Sequence, residues 1–328
     1  MSDRRSHEQF RLIVGMSRAG TKAVMRSLNL MDDVAAYGES CFWGSFWVQP
    51  NADGWYHRAQ LDRIKKIYCS SILVPFDYDE GGLCAPLEEA QAQIATDIDS
   101  LQTPVSPGKA FSVLGEAIAK TVGKDVWVEK TPHHLMYLDR ILEHSPNARI
   151  IVMLRNPASF LLSYKHQGDN KPEKIRKRFH STYHPAVVAF ICRGYLRSAL
   201  RAQEKWPENV KIVSLEKLIA EDSVTIFDIA NHLELDSNSK LRHLNDNSSF
   251  ESATARPALK GSELVWLRLF TKRYARELDL HEPIAGSGLF GFIGSVLSLP
   301  LWGVRLVVAT SSNKNYTSWR HLLNWVKS

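Results

Sequence analysis

The amino-acid sequence predicts an α/β fold in three layers, a central parallel sheet flanked by helices. Three observations carry that reading. Short apolar runs alternate with stretches of helical period over most of the chain. The first run closes on Gly15 and a polar turn that leads into a helix, and a later one stops at Arg155-Asn156-Pro157, a helix-starting step. The composition is also globular: 328 residues, 44% hydrophobic and 23% charged, enough for a large buried core. A disulfide miniprotein, a collagen-like fibre and a largely disordered chain are excluded.

Taken in order, residues 10–14 (Phe-Arg-Leu-Ile-Val) suit a buried parallel strand. Val24, Leu28 and Met31 fall on one face of the helix that follows. Further helices fit residues 55–70, 87–98 and 109–122. A strand fits 126–128, a helix the region 134–144 and a strand 149–154. Asn156 and Pro157 read as N-cap and first residue of the next helix. A long helix over 186–205, a strand over 210–214 and helices up to 234 complete the pattern, with no internal repeat.

Residues 1–282 read as one catalytic domain, and residues 283–328 as a hydrophobic and basic C-terminal region. Residues 283–304 carry no charge, and no acidic residue follows Glu282, so Arg305, Lys314, Arg320 and Lys327 make this end purely basic. The run is long enough to span a bilayer, which needs about 20 residues. Gly286, Gly288, Gly291, Gly294, Gly303 and Pro300 make it a poor insertion sequence. Two readings stay open: a hydrophobic hairpin packed on the domain, or an interfacial anchor with Trp302, Trp319 and Trp325 at the headgroup boundary.

Net charge is +6 with a pI near 9.0, a weak preference for anionic ligands. Cys41, Cys69, Cys84 and Cys192 are scattered, without Cys-x-x-Cys or closely spaced His partners, so neither a zinc site nor a disulfide framework is expected. The polar start and the short apolar run after it lack a signal-peptide core, and a cytoplasmic location is expected, at the membrane face if the C-terminal region anchors. Residues 171–178, Lys-Pro-Glu-Lys-Ile-Arg-Lys-Arg, read as a basic loop between helices, either solvated or meeting an anionic acceptor.

The chemistry concentrates at two strand ends. Gly15-Met16-Ser17-Arg18-Ala19-Gly20-Thr21-Lys22 joins the first strand to the first helix. Such a turn aims backbone N–H groups and the positive helix end at an anion, with Arg18 and Lys22 as fixed charge and Thr21 as a hydroxyl donor. Its glycine spacing is that of a nucleoside-triphosphatase P-loop. The hydroxyl that would follow the Lys and hold magnesium is missing, because Ala23 stands there. The loop is P-loop-like without the metal handle. The second site is Arg155, at the carboxyl end of another strand, with Ser163 eight residues on, inside the next helix. An Arg and a hydroxyl there suit a second phosphate.

Together these segments resemble the sulfotransferases that use 3′-phosphoadenosine 5′-phosphosulfate (PAPS), over roughly residues 10–280. The stretch Arg18-Ala19-Gly20-Thr21-Lys22-Ala23 looks like that family's 5′-phosphosulfate loop, and Arg155 to Ser163 like its 3′-phosphate element. Glu129-Lys130-Thr131-Pro132 makes the chain most similar to the heparan-sulfate type of carbohydrate sulfotransferase. Asn156 replaces the usual Asp, which a capping role tolerates. Glu216-Lys217-Leu218, after the strand at 210–214, is similar to a further family feature.

The resemblance implies PAPS as donor, an acceptor hydroxyl or amine on a carbohydrate or glycolipid, and in-line transfer without a metal. Ser17, Arg18, Ala19, Gly20, Thr21 and Lys22 would hold the 5′-phosphate, Arg155 and Ser163 the 3′-phosphate, with Arg256 and Lys260 covering it. Lys130 would meet the transferring group or the acceptor. Sulfuryl transfer needs a base, and Glu39 is favoured, since the second parallel strand should end there beside the phosphate loop. Glu129, His133 and His134 are rivals. Trp43, Trp47, Trp55 and Tyr56 suit stacking on a sugar or lipid, or core packing. Competing functions are a nucleotide-triphosphate-dependent kinase and a non-catalytic polyanion-binding module using residues 171–178; no nucleic-acid partner is expected.

Overall fold

A computed structural model of the chain describes residues 9–69, 84–169, 172–236, 258–281 and 288–311. Arg256, Lys171 and the basic and aromatic residues of 312–328 lie outside these. The described elements run β1 (Arg11–Gly15), α1 (Thr21–Leu28), β2 (Val34–Gly38), α2 (Arg58–Cys69), α3 (Leu87–Ser100), α4 (Pro107–Thr121) and β3 (Val126–Lys130). A 3₁₀ turn (Pro132–Tyr137) follows, then α5 (Leu138–His144), β4 (Arg149–Leu154), α6 (Pro157–Lys165), α7 (Glu173–Thr182) and α8 (Pro185–Lys205). The chain continues with β5 (Val210–Ser214), α9 (Leu215–Ala220), α10 (Asp222–His232), α11 (Gly261–Glu277) and α12 (Leu289–Ser311).

The five strands form one sheet in the order β2-β3-β1-β4-β5. β1 pairs in parallel with β3 and β4, and β2 in parallel with β3, as the α/β reading requires. β1 and β4 are apolar and buried almost throughout because helices cover the sheet. Chain contacts resolve two compact units. The first comprises residues 1–153, 202–213 and 217–244, the second 154–201, 214–216 and 245–328.

β4 and β5 match their predicted bounds, and most helices begin or end within three residues of expectation. Several elements differ. The helix expected from residue 55 starts at Arg58, because Tyr56 is buried and exchanges both backbone hydrogen bonds with Val105. The strand expected over 126–128 runs on to Lys130, so Glu129 and Lys130 lie within the sheet. The helix expected over 134–144 opens as a 3₁₀ turn behind Pro132. The basic run is no loop: residues 173–182 form α7, with Lys177 paired to Glu173 one turn away at 2.6 Å. Finally, β2 does not end beside the phosphate loop. β3 lies between β2 and β1, a crossover that no local pattern reveals.

Over its described part the uncharged C-terminal run is not a hairpin. It forms one helix, α12, containing Pro300, which packs on α7 and α11 in the second unit. Among the described residues no helix is long and apolar enough to cross a membrane.

Candidate functional site

Register places the first unit's polar strand ends side by side. Lys130 lies level with Gly38 of β2 on one side and with Ile13 of β1 on the other. Gly15, where the first loop begins, is two residues beyond Ile13, roughly 7 Å along the strand. Three neighbouring carboxyl ends thus carry Glu39, Lys130 and the glycine loop, at the edge where open α/β sheets bind ligands.

The loop has the backbone of an anion cradle. Gly15 has φ +127°, and a Cβ there would sit 2.1 Å from the Met153 carbonyl oxygen, so only glycine fits. Arg18 (φ 68°) and Gly20 (φ 81°) are left-handed, a conformation that costs a non-glycine residue about 1–2 kcal/mol. Gly20 caps α1 without a side chain, and the helix's first turn has no acidic residue. Arg18 is exposed, Ser17 and Lys22 half-buried, Ala19 and Thr21 buried.

Glu39 follows β2 directly. Its carboxylate is 22% exposed and accepts a hydrogen bond from Lys130 Nζ at 2.8 Å. Lys130 is almost wholly buried, which a surface turn would not give. Gly38 makes the pairing possible: a Cβ there would lie 2.5 Å from the Lys130 carbonyl oxygen and 2.7 Å from its Cε. The lysine stem crosses the strand end where a side chain is missing.

Glu129, one residue earlier on β3, lives differently. It is fully buried, and its Oε1 accepts from the Ser40 N–H (3.1 Å), the Ser40 hydroxyl (2.7 Å) and the Thr131 hydroxyl. Its Oε2 meets His134 Nδ1 at 3.1 Å, while His134 Nε2 accepts from the Trp43 N–H at 3.3 Å. With Nε2 accepting, Nδ1 is the nitrogen that donates to Glu129. Burial alone would raise the Glu129 carboxyl; His134, Thr131 and Ser40 outweigh it and hold the carboxyl below its ordinary range.

This network clamps the segment after Glu39. Cys41 N–H donates to Thr131 Oγ1, Tyr68 Oη–H donates to the Ser40 carbonyl at 2.8 Å, and Arg140 donates to the Trp43 carbonyl at 2.8 Å. Trp43 and Tyr56 are core residues, Trp43 packing among Phe10, Phe42 and Phe111. Trp55 is exposed. Trp47 lines an open cleft of about 510 Å³ with Ser45, Phe46, Arg63, Lys66 and Ile67, beside the segment that carries Glu39.

In the second unit, Arg155 is half-buried just before α6, and Ser163 is buried on that helix. Asn156 caps α6, its Oδ1 accepting from Ala158 N–H (2.8 Å) and Ser159 N–H (3.2 Å). Its Nδ2 donates to the His281 carbonyl at 3.2 Å, a bond an Asp could not make. Glu216 accepts from the Asn156 N–H at 3.0 Å, which ties Glu216-Lys217-Leu218 to this strand end. Lys260 is exposed, and its N–H donates to Glu263 at the start of α11.

A family model described as "Sulfotransferase family" matches residues 12–239, most of the chain, including residues 15–22 and 155–163. The chain belongs to the sulfotransferase family. That membership sets the kinase alternative aside. Similar solved structures include the sulfotransferase STF9 from Mycobacterium avium, at 13% identity over 84% of this chain and 78% of that one (TM-score 0.49). The sulfotransferase domain of the Synechococcus PCC 7002 olefin synthase is 16% identical over 86% of this chain and 98% of its own (TM-score 0.49). A sulfotransferase from Alicyclobacillus acidocaldarius is 15% identical over 84% and 97% (TM-score 0.45). No curated protein matches the sequence.

For this sulfotransferase, sequence reasoning overlooked Gly38, Ser40 and Thr131. A glycine at a strand end just before an acidic residue is a readable signal for Gly38. Ser40 had none, because its partner Glu129 is 89 residues away, and Thr131, two residues from Glu129, carries no pattern that marks the contact. Among the described residues no group of three or more His, Cys, Asp or Glu is placed to hold a metal ion.

Proposed function

We propose that the chain transfers the sulfuryl group of PAPS to a hydroxyl or amine of a carbohydrate or glycolipid, with Glu39 as base. The observation that carries this is the Glu39–Lys130 pair at the carboxyl ends of β2 and β3, next to the strand that feeds the glycine loop. PAPS, when bound, supplies an activated sulfuryl group on a phosphate leaving group.

The chain's residues divide the remaining work. Residues Ser17, Arg18, Ala19, Gly20, Thr21 and Lys22 bind the 5′-phosphate, using backbone N–H groups, the α1 dipole and two cations. Those features fit an anionic phosphate: the start of α1 has no side-chain cap, and Arg18 and Gly20 are left-handed. Arg155 and Ser163 are assigned to the 3′-phosphate from the sequence resemblance, with Arg256 over it. Lys130 aims the Glu39 carboxylate through their 2.8 Å contact, so that Oε1 or Oε2 takes the acceptor proton. Once Glu39 is protonated, the Lys130 ammonium loses its counter-charge and turns to the transferring group.

Two of the three rivals, Glu129 and His134, are less suited. Glu129 is saturated by four hydrogen bonds and shielded from solvent, and His134 uses both ring nitrogens. The cleft at Trp47, with its aromatic wall and the Arg63 and Lys66 cations, suits an acidic sugar as acceptor. Residues 1–282 are assigned the transfer chemistry and the C-terminal region a peripheral membrane contact that presents the enzyme to a membrane-borne acceptor.

Equilibrium dialysis with adenosine 3′,5′-bisphosphate tests the donor assignment. Tight binding that weakens roughly tenfold or more in Arg155→Ala is expected, as for loss of a charge-assisted contact. Equal binding by the variant would remove Arg155 from the donor site.

A further inference from the structure

The second unit holds an anomaly that sulfuryl transfer does not use. One face of α12 is packed: Trp266 Nε1 donates to Ser295 Oγ at 2.8 Å, Trp302 Nε1 donates to the Thr182 carbonyl at 2.7 Å, and Phe292 lies against Trp266 with ring centroids 4.6 Å apart. The opposite face is apolar and bare. Phe290 is 91% exposed, Leu297 75%, Val304 62% and Leu301 55%, with Ile293 also exposed. The positions 290, 293, 297, 301 and 304 repeat at three or four residues and form a single stripe about four turns long. A contiguous stripe of large apolar side chains marks an interaction surface.

We infer that this α12 stripe lies flat in the interfacial layer of an anionic lipid membrane, with basic residues around it on the headgroups. The inference rests on the peripheral-membrane reading above and names the surface responsible. Charge identifies the occupant. α12 has no charged residue before Arg305, which is exposed, and no acidic residue follows Glu282 anywhere in the sequence. α7, which packs on α12, exposes Lys174 and Arg176, and neither has a carboxylate partner among the described residues. An apolar helix face whose neighbouring charges in sequence and on the packed helix include cations unpaired among the described residues is the pattern that anionic lipid rewards. A second copy of the chain suits it less. A helix pair of this kind specifies its partner through charges of both signs beside the seam, and residues 289–304 offer none. Pro300 and the glycines make the helix a poor insertion sequence despite its length, which favours lying in the surface.

The test is co-sedimentation of the full chain with phosphatidylcholine vesicles, with and without 30 mol% phosphatidylglycerol, at low and high salt. Wild type is expected to partition onto the anionic vesicles and to lose most of that binding in high salt. Leu297→Asp with Leu301→Asp should lower partitioning roughly tenfold or more while leaving the melting temperature and adenosine 3′,5′-bisphosphate binding unchanged. Lys174→Gln with Arg176→Gln serves as a second variant and should weaken only the anionic-vesicle binding. Absence of wild-type binding would overturn both this inference and the membrane reading. Equal binding by wild type and the leucine variant would overturn the α12 surface alone. A vesicle-free dimer that the leucine variant dissolves would make the occupant a second copy and overturn the lipid assignment.

Discussion

Two carboxylates at neighbouring strand ends, Glu39 and Glu129, show how one sheet edge holds a partly exposed carboxylate and a fully buried, structural one. Both sit beside a nitrogen base, Lys130 or His134, at about 3 Å. Glu39 is partly open to solvent with one cationic partner, whereas Glu129 is buried and accepts four hydrogen bonds. A base needs a free lone pair facing the substrate, and a clamp needs every lone pair occupied. The difference teaches that the bonding of Glu129 immobilises the backbone on which Glu39 is carried.

That contrast can be broken at either end. Glu39→Gln should cut kcat by about 10² to 10⁴, the usual worth of a positioned base, with donor-product binding little changed and some stability lost as buried Lys130 is left without this counter-charge. Glu129→Gln should cost about 3 kcal/mol of stability in urea unfolding, as for one member of a buried polar network, while folded enzyme keeps its kcat within a few-fold. The same variant sharpens the pH behaviour. Because the folded-state pKa of Glu129 is depressed, its stabilisation is present above the unfolded carboxylate value of about 4.3 and is lost as pH falls through the lower folded value. Melting temperatures measured from pH 7 down to pH 3 should therefore fall less steeply for Glu129→Gln than for wild type.

Gly38→Ala attacks the link between the two groups. The new methyl collides with the Lys130 carbonyl and stem, so a loss of about 1–3 kcal/mol in stability is expected, with kcat reduced as Lys130 is pushed from Glu39. Asn156→Ala, at a cap in the other unit, sets the smallest effect, about 1 kcal/mol in thermal unfolding. An effect on kcat from Glu129→Gln as large as that from Glu39→Gln would erase the distinction between them.

Local signals carried much of the fold. β4, β5 and the Asn156-Pro157 helix start are written in contiguous residues, and the structure matches them. Non-local facts were out of reach. The placing of β3 between β1 and β2 depends on a crossover, and without it nothing in the sequence shows that Lys130 is the buried partner of Glu39. The basic run read as a loop because its charge hid the Glu173–Lys177 pair at helical spacing. At the site, the residue types of the glycine loop were legible, while the Glu129 network was not, since its members come from segments some ninety residues apart.

The most direct test is transfer of radiolabelled sulfuryl from PAPS to an acceptor pool from a cell extract, run in parallel for wild type, Glu39→Gln and Glu129→Gln. The expected result is labelling by wild type and by folded Glu129→Gln, and almost none by Glu39→Gln although it still binds adenosine 3′,5′-bisphosphate. Labelling by Glu39→Gln at the wild-type rate would contradict the assignment of the base, and no labelling by wild type would contradict PAPS as the donor.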